Sequence, residues 1–106
     1  MQTNELVAFV TDKIDDMKAR DIVTLDVRGK SSVTNFMIIC SGTSNRHTKS
    51  IAGYLATEVK KTGVQPLGIE GEAAGEWVLL DLGDVVVHVM LEESRNFYQL
   101  EKLWGG

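Results

Sequence analysis

The chain has 106 residues, 43% of them hydrophobic and 25% charged, which fits a single domain over residues 1–106 with one sizeable core and excludes extended disorder. No uninterrupted apolar run exceeds five residues, far short of the roughly 20 that span a bilayer, so no membrane contact is expected. A net charge of −4 and a pI near 5.1 argue against a broad contact with nucleic acid, which needs a basic face, and fit a basic protein partner better. No charged leader followed by an apolar stretch opens the sequence, and the expectation is a cytoplasmic protein. The single cysteine, Cys40, lies inside "FMIICSG" with no second cysteine beside it, and reads as a small buried hydrophobe rather than part of a redox or zinc motif.

The N-terminal "TNELVAFVTDKIDDMKAR" places Leu6, Phe9, Val10, Ile14 and Met17 at helical spacing, with Thr3 or Asn4 as N-cap and Lys18 and Arg20 near the end. Asp12, Asp15 and Asp16 form its solvated side. "DIVTLDV" then alternates as a half-buried strand, and "NFMIIC", apolar on both faces, reads as a central one. In "SGTSNRHTKSIAGYLATEVKKTG", capping residues precede Ile51, Leu55 and Val59 at every fourth position, and Gly63 closes a second helix. "QPLGIEG" is a short strand that Pro66 places near an edge. The hairpin "EWVLLDLGDVVVHVM" follows, and "EESRNFYQLEKLW" ends the chain as one or two short helical turns carrying Phe97, Leu100 and Leu103. The order of elements makes the fold class α/β (α+β), a two-layer domain with five strands packed by helices.

The hairpin carries the functional reading. With Gly83-Asp84 as its two-residue turn, residues paired across the strands share a face. One face is aliphatic: Val78, Leu80, Leu82, Val85, Val87 and Val89. The other collects Trp77, Leu79, Asp81, Val86, His88 and Met90. The first belongs under the two helices; the second mixes an indole, a thioether, an acid and an imidazole, poor core material but good interface material. Asp81 at its border would select for a basic partner. The alternative is that "NFYQLEKLW" covers this face as a third layer, with His88 a structural histidine. "SGTSNRH" sits where a helix N-terminus could cradle a phosphate, but it lacks the spacing of either nucleotide-binding fingerprint, and capping explains most of it.

Three stretches together, "DIVTLDVRGKSSVTNFMIICSGTSNRH", "GIEG" with "EWVLLDLGDVVVHVM", and "SRNFYQLEKLW", resemble the Iojap family of ribosomal silencing factors, in the family's order and over residues 13–104. The resemblance implies a mixed five-stranded sheet similar to nucleotidyltransferases, no enzymatic activity and no cofactor. It implies binding to the large ribosomal subunit through large-subunit ribosomal protein fourteen, obstruction of small-subunit joining when nutrients are scarce, a role in large-subunit biogenesis, and a homodimer. The family's tryptophan matches Trp77, and its acidic and apolar positions match Leu79, Asp81, Asp84, His88 and Met90. Glu70, Arg95 and Tyr98 match further positions that would rim the same surface. Asn35 departs from the acid usual there.

Two other classes compete with this one. A nucleotidyltransferase would hold a divalent metal on paired acids along one strand, whereas Asp81 and Asp84 flank a tight turn, so no metal site is expected. Direct RNA binding would rest on Arg46, His47 and Lys49 or on Lys60 and Lys61, against an acidic total.

Overall fold

The computed structural model describes residues 1–105. In chain order these form α1 (Thr3–Asp16), β1 (Arg20–Asp26), β2 (Phe36–Gly42), α2 (Asn45–Lys61), β3 (Gly68–Glu70), β4 (Trp77–Asp81), β5 (Val85–Leu91), α3 (Glu92–Tyr98) and α4 (Leu100–Gly105). The strands make one mixed sheet in the order β1-β2-β5-β4-β3, antiparallel at every junction except the parallel β2 and β5 pair. This is the α+β architecture expected from the order of elements. β2 and β5 hold the centre because their runs are apolar on both faces and are buried at all but one position each.

The helices owe their limits to local chemistry. α1 starts one residue earlier than the expected cap: Gln2 is the N-cap, and its N–H donates to Glu5 Oε1 at 3.4 Å. The helix also ends sooner than its charge pattern suggests. Lys18 takes a left-handed φ of 61°, and the N–H of Ala19 reaches back to the Ile14 carbonyl at 3.0 Å, a Schellman closure that leaves Arg20 to begin β1. α2 closes in the same way, with Gly63 supplying the left-handed residue as expected. Its N-cap is Ser44, whose hydroxyl accepts from the His47 N–H at 3.1 Å.

α1 and α2 lie side by side on one face of the sheet. Leu6, Val10 and Ile14 of α1 and Ile51, Leu55 and Val59 of α2 meet Ile38, Cys40 and the aliphatic face of the hairpin, from Val78 to Val89, in one dry cluster. Each such fully buried Val, Leu or Ile contributes about 1.5–3 kcal/mol relative to exposure. Burial pushes the Cys40 thiol up to about 12, so it stays protonated and inert.

Only Gly68–Glu70 of "QPLGIEG" pairs as a strand. Pro66 lies just ahead of it at the sheet's edge, and the N–H of Leu67 already bonds the Asp81 carbonyl. The hairpin turns at Gly83-Asp84, with the Leu82 N–H donating to the Val85 carbonyl and Gly83 at a φ of 87°, the sign a primed turn demands of its first central residue.

Candidate functional site

The second face of the sheet is built in rows. Reading across the strands, Val23, Ile39, His88, Leu79 and Glu70 form one row, and Leu25, Met37, Val86, Asp81 and Gly68 the next. The C-terminal helices cover only part of it. Leu100 and Trp104 pack with Leu25 against Val27, Met37, Ile39 and Met90, closing a small second core over β1, β2 and the near side of β5. The β4 and β3 half stays open. The third layer expected as the alternative is therefore present over one half of this face, and the other half is left uncovered.

Trp77 stands on the boundary between the halves. Its ring lies 4.7 Å from that of Tyr98, at 47°, and Tyr98 in turn meets Phe97 edge-on at 5.0 Å. Phe97 is 80% exposed and Tyr98 53%, so the three rings form an aromatic row that runs from the sheet to solvent. Beside it, Trp77, Leu79, Glu70 and Gly71 line a shallow hollow of about 360 Å³. Gly71 has a φ of 86°, and a Cβ there would collide with the Trp77 carbonyl oxygen, so the approach of the loop to the strand needs glycine. Glu70, exposed at the rim of this hollow, gives the open half an acidic margin.

The other site residues suggested by the sequence separate into surface and support. Asp81 is half-buried, and its Oδ1 accepts from the Gly83 N–H at 2.9 Å, bracing the turn. Asp84 is exposed and is met by the Thr3 hydroxyl at 3.1 Å and the Asn35 amide at 3.4 Å; an acid in place of Asn35 would put two carboxylates together there. Met90 is completely buried beneath the aromatic row. Arg95 does not rim the surface: it is 9% exposed, its Nη1 donates to Ser41 Oγ at 2.9 Å and its Nε to Glu101, so it ties α3 to β2 and α4. His88 is 4% exposed; its Nδ1 accepts from the Trp77 indole N–H at 2.9 Å, and burial holds its pKa down to about 4.

Phe97 and Leu103 are where the helical pattern misleads. Their spacing places them in a core stripe, yet both are exposed, because Gln99 takes a left-handed φ of 51° and breaks the stretch into α3 and α4. The signal available in the sequence is the excess of apolar residues in so short a segment, more than one buried face can take.

In the "SGTSNRH" segment the Thr43 and His47 donors are engaged within the protein. The Thr43 N–H bonds His47 Nδ1 at 2.9 Å, leaving His47 Nε2–H to donate to the Met17 carbonyl at 2.8 Å, and the His47 N–H goes to Ser44. His47 therefore fastens the end of α1 to the start of α2. The crevice nearby, about 430 Å³, includes Asp21, Glu92 and Glu93, which repel a phosphate. Asp81 and Asp84 brace separate groups, and among the described residues no three His, Cys, Asp or Glu side chains group as a metal site. Among those residues, too, no helix is long and apolar enough to cross a membrane.

Comparison with known proteins agrees over the whole chain. The profile of the family described as "Ribosomal silencing factor during starvation" matches residues 1–106. A Haemophilus influenzae protein named ribosomal silencing factor RsfS is 50% identical over 100 residues, 94% of this chain and 98% of its own. A mouse protein named mitochondrial assembly of ribosomal large subunit protein 1 is 42% identical over 89 residues, 81% of this chain and 39% of that one. A crystal structure of a Chromobacterium violaceum protein, 42% identical, superposes with a TM-score of 0.97 and covers 100% of this chain and 88% of that one. The chain belongs to the family of ribosomal silencing factors, the Iojap family its sequence resembles.

Proposed function

We propose that this protein represses translation by docking the open half of its second sheet face on large-subunit ribosomal protein fourteen and standing in the way of the small subunit. The observation that carries this is the exposed aromatic row of Trp77, Tyr98 and Phe97 beside Leu79 and the acidic margin. Aromatic rings next to an apolar hollow supply binding energy, and carboxylates around them select a basic partner and speed encounter. A body measuring 32 × 32 × 21 Å, set on the intersubunit side of the large subunit, obstructs joining with no chemical step. Support also comes from the mouse relative, whose name ties it to large-subunit assembly, and a role in biogenesis would use the same contact.

On this reading the protein is a cytoplasmic binding factor without enzymatic activity or cofactor, making little direct contact with ribosomal RNA. Glu70, Leu79, Asp81 and Tyr98, with the exposed edge of Trp77, form the contact, and Asp84 lies at its far border. Met90, Arg95 and His88 lie beneath it. A homodimer is proposed alongside, and sedimentation velocity of the free protein reads it.

The test is co-sedimentation with separated ribosomal subunits. Wild type is expected to travel with the large subunit only, and Leu79→Lys and Tyr98→Ala, both changes at accessible side chains, are expected to remain at the top of the gradient. Binding by both folded variants at wild-type strength would move the contact elsewhere on the molecule.

A further inference from the structure

His88 is an anomaly in its surroundings. It occupies the middle of β5, between Ile39 on one side and Leu79 on the other, and the residues sharing its face on the same strand are Val86 and Met90. An aliphatic side chain would fill this position at less cost. The imidazole makes one hydrogen bond, accepting at Nδ1 from the Trp77 indole 2.9 Å away. Accepting there puts the ring proton on Nε2, and Nε2 is buried with no partner. A buried donor left unsatisfied destabilises the fold, so nothing in the packing of the strand favours histidine here. What histidine provides that Leu or Phe cannot is an acceptor facing the indole.

The indole has two constraints and one free edge. Tyr98 packs against it at 4.7 Å between ring centroids, and the imidazole lies 5.8 Å away at 46°. Trp77 and His88 are diagonal neighbours across the antiparallel pair, with Trp77 opposite Met90 and Leu79 opposite His88, so their side chains lean together over the boundary between the covered and open halves. Ring packing alone fixes the distance of an indole from its neighbour but leaves it free to flip about χ2. A directional N–H bond to Nδ1 selects one of the two flips, and so decides which edge of the ring faces the hollow shared with Leu79 and Glu70.

We propose that His88 is a positioning residue for the docking surface: it touches no partner, and it holds the Trp77 indole in the single orientation that the partner meets. The proposal rests on the reading of the open half as the ribosomal contact. It departs from the expectation that His88 is itself a contact. The ring is buried, so its effect on binding passes through Trp77, as preorganisation of an anchor before encounter.

The test uses the full chain, isolated large ribosomal subunits and four proteins: wild type, His88→Phe and His88→Leu, which remove the acceptor, and His88→Asn, whose side-chain oxygen falls near the place of Nδ1. Two quantities are read for each folded protein: the indole N–H resonance of Trp77 in a ¹H–¹⁵N spectrum, and the affinity for the large subunit. The acceptor-free variants are expected to fold, to lose the downfield position of the Trp77 indole proton, and to bind about tenfold more weakly, the scale of one hydrogen bond. His88→Asn is expected to recover the resonance and most of the affinity. Wild-type affinity in either acceptor-free variant overturns the proposal. So does a His88→Asn chain that keeps the indole resonance but binds as poorly as His88→Phe. If wild type itself fails to travel with large subunits, the reading of the site falls first, an outcome separate from all of these.

Discussion

The two halves of the second sheet face start from the same alternation and end differently. Over β1 and β2, Leu25, Val27, Met37 and Ile39 lie under α4 and form a dry core with Met90; over β4 and β3, Leu79, Asp81 and Glu70 remain open. Strand composition does not decide which half is covered, since Leu79 is as apolar as Leu25. The path of residues 92–105 does. α3 leaves β5 along the sheet and is pinned through Arg95 to Ser41; the left-handed Gln99 then swings α4 toward β1, where Arg95 reaches Glu101 and Lys30 Nζ bonds the Trp104 carbonyl at 3.1 Å. The open half is what this turn leaves uncovered, and Tyr98, the last residue of α3, is the one ring of this segment packed against Trp77.

The comparison breaks most visibly at Met90. It is fully buried beneath the boundary, so Met90→Ala opens a cavity and is expected to cost about 3 kcal/mol of stability, read as a lower urea midpoint at unchanged slope. If Met90 only supports the open half, the molecules that remain folded keep most of their affinity for the large subunit. A Met90→Ala chain of wild-type stability that has lost binding would place Met90 at the contact after all, and would mean that the covered half opens on docking.

A smaller effect follows from His88, and its direction is fixed by the sign of the shift. Burial lowers its pKa from the ordinary 6.5 to about 4 in the folded chain. Above pH 6.5 the ring is neutral folded or unfolded, and stability does not depend on it. As pH falls below 6.5 the unfolded chain takes up a proton that the folded chain refuses, so stability drops by about 2 kcal/mol by pH 5 and stops falling on this account below about pH 4. Asp26, lowered to about 2 by its hydrogen bonds to Arg28, and Glu58, lowered by Lys61, lose their contributions only as pH falls through the carboxylate range, a separate window. Urea unfolding of wild type and His88→Phe at pH 7 and pH 5 is expected to show the drop in wild type alone. Equal slopes in the two proteins would mean that another group carries it.

Much of this is legible in the sequence. Parity counted outward from Gly83-Asp84 sorts all twelve hairpin positions correctly between the faces, because a two-residue turn fixes register and register fixes side. The spacing of Leu6, Val10 and Ile14, and of Ile51, Leu55 and Val59, identifies the buried stripes of α1 and α2 for the same reason. What the residues did not reveal depends on backbone states that side-chain type barely biases. Lys18 and Gln99 take left-handed φ values without being glycine, and those two residues decide where α1 stops and where α4 goes. The site was legible as a face but not as a half-face. Arg95 is expected at the rim on the family resemblance alone, and only tertiary contact with Ser41 and Glu101, which no local pattern encodes, draws it inside. Phe97 shares helical spacing with Leu100 and Leu103, and spacing alone cannot say which of two faces meets protein.

The mildest way to sharpen the contrast between the halves is at Glu70. It ends the row that begins at Val23, sits beside Leu79 at the rim of the hollow, and is exposed. A charge at such a rim contributes to encounter more than to the final complex, and it is screened over a Debye length of about 8 Å at physiological ionic strength. Glu70→Gln is therefore expected to slow association with the large subunit by about two- to threefold at low salt, to leave dissociation unchanged, and to match wild type as salt is raised. The same neutralisation on the covered side, at Asp26, serves as its control. Asp26, the last residue of β1, pairs with Arg28 and lies across the sheet from the open half, so Asp26→Asn is expected to leave the association rate as it is. Equal slowing by both would mean that net charge, and not the acidic margin of the open half, guides the protein to the ribosome.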